Sequence, residues 1–279
     1  MKRSFGRNRE GLPKVMRSGI PTLDLLFQGG YPMGSLCLIE EDPRNNDALN
    51  ISRCFLGEGC VSDEKLFIYG ENLTENLIPD IRRIGDGEHK SSSVQWRYET
   101  FSNTSLISEP YCIDLASTAS NQRNAVFGVL SPSIDDSYKN LWNTIRQDIL
   151  SHENANAGRV LILSMLGSSW PKLSYSDIYQ FLNSLKTLLR TINGVCMITM
   201  PTNTLNANLL NLVYSSCDII LSCESVEGKK SSMLRIKKAP RVLGNINYET
   251  IPLRIRDDKC TIAIEQLTAK KHKLHQENA

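Results

Sequence analysis

The stretch LCLIEEDPRNNDALN occupies residues 36–50 and decides the fold class. Its first residues are continuously apolar, which is typical of a strand covered on both faces of a sheet. An acidic turn follows, and then DALNISRCFLGEG, which predicts a helix that ends at Gly57 and Gly59. A buried strand that leads through a turn into a helix is where nucleotide-binding proteins cradle phosphate. The residues of such a cradle are missing here.

Further along the chain, apolar strands alternate with helices. RVLILSML, VCMITMPT and DIILSCES are predicted as buried strands, and a long helix is predicted with Tyr175 and Tyr179 on its apolar stripe. TENLIPDIRRIG is predicted as a short helical segment interrupted by Pro79. Strand and helix in alternation indicate a parallel sheet with helices on both faces. After residue 229 only strands with short connections are predicted, which indicates an antiparallel β meander at one edge of the sheet.

The segment before the first strand, SGIPTLDLLFQGGYPMGS, occupies residues 18–35. Its short apolar helix and Gly-Gly turn resemble the lead-in of RecA-fold ATPases of the KaiC and RadA type. This resemblance implies an α/β, RecA-like three-layer fold with a mainly parallel central sheet and a C-terminal antiparallel β extension. We therefore expect a basic arm at 1–17, a RecA-like domain at 18–267 that includes the meander at 229–267, and a disordered tail at 268–279.

An active member of that group would end its first strand in G-x-x-x-x-G-K-[ST], whose amides and lysine hold phosphate. The carboxylates of the acidic turn would repel a triphosphate unless a metal intervened, and no lysine of the turn replaces the phosphate-binding lysine of that motif. In RVLILSMLGSSW, Ser164 and Met165 stand where a magnesium-holding Asp is expected. Two independent losses predict a degenerate ATPase with no catalytic residue, no metal and no cofactor; a sheet protein that never bound nucleotide is the alternative. The degenerate loop comprises Glu40, Glu41, Asp42, Pro43, Arg44 and Asn45.

Charge is distributed unevenly along the chain. Residues 1–17 carry a net +5 and residues 229–279 a net +7, so that the middle carries −10 in a total of +2. Basic ends favour an anionic partner such as nucleic acid or an acidic subunit surface, or else they are solubilising tails. The eight cysteines lie mostly in apolar runs without C-x-x-C spacing, which favours buried free thiols over a zinc site. We expect a soluble, non-secreted protein.

The chain also resembles the PAXNEB family, to which the fourth subunit of the Elongator complex belongs. The matching segments, in order, are SGIPTLDLLFQGG, GSLCLIEED, VQWRY, LGSSW, LKTLLRT, MITMPT, CDIILSCES and KKAPR. The acidic LIEED in place of a phosphate loop is itself a trait of the family. The resemblance covers residues from about 18 to 241.

The resemblance implies a non-catalytic subunit that assembles with two sister RecA-like subunits, two copies of each, into a hexameric ring. That ring would bind tRNA and serve the catalytic Elongator subunits, which modify the wobble uridine (U34) of tRNA. A cytoplasmic location is implied, a nuclear pool is left open, and no membrane partner is expected.

In RecA-type rings the loops after the central strands face the central hole. Trp170 is therefore a candidate to stack on a tRNA base and Lys172 to reach a phosphate, the alternative being a turn with Trp170 packed on the core. The densest basic run is a second candidate tRNA contact, or a strand edge kept charged against aggregation. Arg97 and Arg190 are candidate subunit contacts; a surface arginine and a helix C-terminal charge are the alternatives. The basic run comprises Lys229, Lys230, Lys237, Lys238 and Arg241.

Two other functions compete with the ring subunit. The first is a diverged RecA/KaiC-type ATPase that acts on nucleic acid, against which stand the missing Gly-Lys-Thr and the missing strand-end Asp. The second is a free RNA-binding module that acts through its basic ends, although no known RNA-binding signature is present in the sequence.

Overall fold

The computed structural model describes residues 14–71, 73, 75–83, 111–119, 125–129, 138–151, 158–168, 170, 174–225, 232–240, 253–258 and 261–266. The helices are α1 (Pro21–Leu26), α2 (Asp47–Val61), α3 (Tyr138–Ser151), α4 (Tyr175–Ile192) and α5 (Ala207–Ser216), with 3-10 turns at Glu75–Leu77 and Thr202–Thr204. The strands are β1 (Val15–Met16), β2 (Tyr31–Pro32), β3 (Leu36–Glu40), β4 (Lys65–Gly70), β5 (Pro79–Arg83), β6 (Tyr111–Thr118), β7 (Ala125–Val129), β8 (Gly158–Ile162), β9 (Val195–Met200), β10 (Ile219–Ser225), β11 (Ser232–Lys238), β12 (Leu253–Asp258) and β13 (Thr261–Gln266).

The central sheet has nine strands within the described ranges, in the order β13-β12-β11-β10-β3-β9-β8-β4-β7. From β10 to β7 every neighbouring pair is parallel. From β10 to β13 the pairs are antiparallel. The predicted parallel sheet with a C-terminal antiparallel extension is therefore confirmed.

Helices cover both faces of this sheet. Alternate residues of β3 point to opposite faces, so that Cys37 and Ile39 belong to one core cluster and Leu36 and Leu38 to the other. The first core lies under α1, α2 and the β5–β6 pair, and the second lies under α3, α4 and α5. This arrangement confirms the three-layer, RecA-like fold class.

Helix α2 does not end at its glycines as predicted; it continues through them to Val61. A Cβ atom at Gly57 would lie 2.9 Å from the side chain of Ile113, and one at Gly59 would lie 2.5 Å from that of Leu66. The glycines therefore serve close packing inside the helix and do not terminate it.

Two further predictions were wrong. The segment around Pro79 forms a 3-10 turn and strand β5, which pairs antiparallel with β6; the proline is tolerated because it is the first residue of the strand. Tyr175 and Tyr179 are exposed, because the buried stripe of α4 runs through Ile178, Leu182 and their helical neighbours and leaves both tyrosines on its flank.

Six cysteines whose side chains the structure describes are free thiols that are buried or partly buried, as predicted: Cys37, Cys54, Cys60, Cys196, Cys217 and Cys223. In the described part of the chain, no helix is long and apolar enough to cross a membrane.

Candidate functional site: an acidic loop at the carboxyl edge of the sheet

The loop at 41–46 connects β3 to α2 at the edge of the sheet where the parallel strands end. Ligands of open α/β sheets bind at this edge. The end of β9 and the segment after β8 meet it there: the amide of Glu41 donates to the carbonyl of Met200, and the hydroxyl of Ser164 donates to Glu41 Oε1 at 2.9 Å. The strand-end position expected to carry a magnesium ligand is thus next to the loop, and a serine occupies it.

Three backbone amides of the loop and the first amide of α2 donate to oxygens of the protein itself. Besides Glu41, the amide of Arg44 donates to Asp42 Oδ1 at 2.9 Å, that of Asn45 to the carbonyl of Asp42 at 3.1 Å, and that of Asp47 to Asn45 Oδ1 at 3.0 Å. Pro43 has no amide hydrogen. In a phosphate cradle such amides point at the ligand; here they are engaged internally.

Asp42 is the most heavily hydrogen-bonded carboxylate of the loop. It accepts from Arg44 Nε at 2.9 Å, from Arg44 Nη2 at 2.8 Å and from the amide of Ser225 at 2.8 Å. The hydrogen bonds from Arg44 are the main reason that the pKa of Asp42 lies well below its usual range, and the Ser225 amide adds to the effect. Asp42 is therefore a fixed negative charge.

Glu40, the last residue of β3, is buried and has two partners from distant segments. Lys237 Nζ of β11 lies 2.6 Å from Glu40 Oε2, and the hydroxyl of Tyr214 donates to Glu40 Oε1. Lys237 Nζ also lies 3.3 Å from the Tyr214 hydroxyl. Lys237, a candidate tRNA contact in the sequence, is thus paired with the buried carboxylate of Glu40, directly before the loop.

The remaining predicted tRNA contacts fall into two groups. The indole of Trp170 stacks on the ring of Tyr138 with centroids 6.0 Å apart, and Trp170 packs at the margin of the second core. This is the packing expected of an ordinary turn, the alternative to a tRNA contact. Lys238 Nζ lies 2.8 Å from the carbonyl of Tyr214, near the C-terminal end of α5, and so caps that helix. Lys172, Lys229, Lys230 and Arg241 lie outside the described residues.

The predicted subunit contacts are only partly described. Arg190 is exposed in the last turn of α4, and its side chain lies against Gly34, where a Cβ would come within 2.8 Å of Arg190 Cγ. Arg97 lies outside the described residues. The role of both arginines at an interface stays a prediction.

Sequence reasoning missed a buried ion pair at the opposite edge of the sheet. The guanidinium of Arg159 is 1 % exposed, binds Glu64, and donates to the carbonyls of Arg17 at 2.7 Å and Phe55 at 2.8 Å. The available signal was one arginine at the start of an otherwise apolar strand. It also missed Tyr214, which nothing in its helix marks as a partner of Glu40.

These groups define what the site can bind. The carboxylates of Glu40, Glu41 and Asp42 are paired or hydrogen-bonded, three of the loop amides bind oxygens of the protein itself, and the loop supplies no lysine. No cluster of three or more metal-ligating side chains occurs among the residues that the structure describes. The site is thus an acidic loop between β3 and α2 whose carboxylates are held by partners within the protein.

Comparison with known proteins shows the family of this chain. The family model described as "PAXNEB protein" matches residues 13–256, and the chain belongs to the PAXNEB family. The similarity seen in the sequence to that family is thereby confirmed.

Curated relatives are similar at low identity. "Elongator complex protein 4" of Xenopus laevis is 23 % identical over 323 aligned residues, which cover 91 % of this chain and 79 % of that protein. The protein of the same name from Dictyostelium discoideum is 22 % identical over 270 residues, covering 76 % of this chain and 61 % of its own length. The one from Drosophila melanogaster is 34 % identical over 101 residues, covering 30 % and 23 %. The alignment thus covers less than two thirds of the length of the Dictyostelium discoideum and Drosophila melanogaster proteins.

Proposed function

We propose that this chain is a non-catalytic RecA-like subunit of the Elongator complex. One observation carries the proposal: in a member of the PAXNEB family, the loop at the phosphate position is acidic and bound to its own protein. A triphosphate would have to displace Asp42 from its three donor groups and would meet repulsion from neighbouring carboxylates. The relatives named Elongator complex protein 4 support the assignment to that complex.

Within that complex, the proposed place is an accessory hexameric ring with two sister RecA-like subunits, two copies of each. The ring binds tRNA and supports modification of the wobble uridine U34 by the catalytic subunits. The proposed location is the cytoplasm, and a nuclear pool is an additional possibility that fractionation would test. No cofactor is needed for this role.

The first experiment is affinity purification of the tagged chain from its own cells, with native mass and protein identification. We expect two further RecA-like chains in an assembly of six domains, joined by the large catalytic subunits. A lone monomer would contradict the proposal. If the purified chain alone hydrolysed ATP with magnesium, and changes at Glu41 or Asp42 abolished that turnover, the diverged ATPase would replace it.

The tRNA contact is proposed for Trp170, Lys172 and the basic run. Because the ammonium groups of Lys237 and Lys238 have internal partners, replacing them would disturb the fold as well as any RNA contact. The test therefore uses Lys229 and Lys230 of the same basic run.

We expect K229E/K230E in the assembled ring to weaken tRNA retention at low salt, and by a similar factor for different tRNAs, because phosphate contacts carry little sequence information. Lys139→Glu, an exposed lysine on α3, is the matched control and should have little effect. Unchanged retention by the double variant would contradict an RNA role for this pair.

A further inference from the structure

The donor set around Asp42 is of the kind that proteins use to bind phosphate. Two backbone amides, those of Arg44 and Ser225, converge on its carboxylate at 2.9 and 2.8 Å. The guanidinium of Arg44 adds a two-point contact through Nε and Nη2. Backbone amides and a forked guanidinium are both donor groups with which proteins hold anions.

The place of this carboxylate in the fold matches the chemistry. Asp42 follows a central buried strand and precedes the 15-residue helix α2, which is where a phosphate-binding loop stands in a nucleotide-binding sheet. We propose that the Asp42 carboxylate is a built-in anion that occupies the position of a bound phosphate and holds the loop closed without nucleotide, whatever assembly the chain works in.

The built-in anion also joins the loop to the antiparallel extension. Ser225, whose amide binds Asp42, is the last residue of β10. Asn45 Nδ2 donates to Ser225 Oγ at 2.8 Å and reaches Ser232 Oγ, at the start of β11, at 3.4 Å. In a nucleotide-dependent protein a bound ligand would supply such a connection and its loss would release it. Here the connection is intramolecular and permanent.

Chemical rescue tests this assignment. Asp42→Ala removes the anion and leaves the Arg44 and Ser225 donors in place. Its melting temperature should fall by several degrees and should rise again with sodium formate, and with inorganic phosphate, relative to sodium chloride of equal ionic strength. The apparent affinity of the variant for phosphate should be at least about tenfold above that of the wild type, because the wild-type position is filled.

Glu41→Ala is the matched control. Glu41 is a neighbouring carboxylate of the same loop, but its side chain accepts only from Ser164 in the contacts described, at the exposed edge of the site. The Glu41 variant should show no selective response to formate or phosphate. An equal response in both variants would mean a general salt effect and would overturn the assignment.

Two other outcomes would also overturn it. One is an Asp42→Ala protein as stable as the wild type and indifferent to both anions. The other is wild-type protein that binds phosphate as tightly as the variant. If Asp42→Ala does not fold, Asp42→Asn replaces it: hydrogen exchange at the Arg44 and Ser225 amides should accelerate relative to wild type, whereas unchanged exchange would show that the carboxylate does not hold these donors.

Discussion

The amino and carboxyl ends of the parallel strands, which form the amino edge and the carboxyl edge of the sheet, hold their ion pairs in different environments. At the amino edge, Arg159 and Glu64 form an ion pair with both side chains almost fully buried. At the carboxyl edge, Glu40 and Asp42 are equally buried, but their cations reach water: Lys237 is 33 % exposed and Arg44 is 68 % exposed. The amino edge is therefore sealed from water, and the carboxyl edge is open to it.

Two buried aspartates have pKa values that are shifted in opposite directions. At Asp24, near the amino edge, burial raises the pKa to about 7, although the Ser18 amide donates to its Oδ1 at 2.7 Å. At Asp42 the hydrogen bonds from Arg44 hold the pKa well below its usual range. At Asp24 burial outweighs the Ser18 hydrogen bonds and the charge of Arg17, whereas at Asp42 the Arg44 hydrogen bonds outweigh burial. Asp42 therefore keeps its negative charge at neutral pH.

The largest expected effect is at the sealed edge. Arg159→Met leaves Glu64 buried without its cation and leaves two backbone carbonyls without their donor. We expect a loss of ~3–5 kcal/mol in the free energy of unfolding, measured in urea. Arg159→Met combined with Glu64→Met should recover part of that loss, because the isolated charge is gone. A single variant within about 1 kcal/mol of wild type would show that this pair is not structural.

A smaller effect is expected at the open edge. Lys237→Met leaves Glu40 buried with the Tyr214 hydroxyl as its remaining partner, and should cost ~1–3 kcal/mol, since water screens a cation that is one third exposed.

The matched control lies on the same strand. Arg235 pairs with Glu224 at 3.2 Å with both side chains about half exposed, so that Arg235→Met should cost less than ~1 kcal/mol. If Lys237→Met and Arg235→Met were equally stable, the pairing of Lys237 with Glu40 would not contribute to the stability of the fold.

The last expected effect is a pH dependence of stability whose sign differs between Asp42 and Asp24. The lowered pKa of Asp42 contributes stability that is fully present above its unfolded-state pKa of about 3.9 and is lost as the pH falls below it. The advantage of wild type over Asp42→Asn should therefore be constant near neutrality and narrow below about pH 4. Carboxylates of Glu40, Asp47 and Glu224 surround the same region and are unchanged in both proteins.

At Asp24 the raised pKa has the opposite consequence. Its contribution is complete below about pH 4 and is lost as the pH rises towards about 7, so that wild type should lose stability relative to Asp24→Asn over that interval. Urea midpoints at a series of pH values measure both variants. If the stability difference between wild type and variant changed with pH in the same direction for Asp42→Asn and Asp24→Asn, the opposite pKa shifts of the two aspartates would be contradicted.

Much of the fold could be predicted because its signals are local. The continuous apolar runs of β3, β8, β9 and β10 and the short connections after residue 229 predict the parallel sheet and its antiparallel extension. The extent of α2 could not be predicted, because Gly57 and Gly59 are explained only by the neighbours they pack against. The strand at Pro79 depends on pairing with β6, which is also remote in sequence.

The site shows the same limit. The missing lysine and the acidic residues of the loop are visible in the sequence, but their partners are not. Lys237 meets Glu40 across 197 residues, and Ser225 meets Asp42 across 183, because β11 and β10 pair beside β3. A lysine that looked available for RNA is for this reason the counter-ion of a buried carboxylate.

The most direct test of a self-filled, non-catalytic loop is equilibrium titration of the purified chain with ATP and magnesium. We expect no saturable binding at millimolar nucleotide, because the amides of Glu41, Arg44 and Asn45 and the guanidinium that pairs with Asp42 are already engaged. Saturable binding that weakens on Glu41→Ala or Asp42→Ala would contradict it, since the acidic loop would then be a nucleotide site.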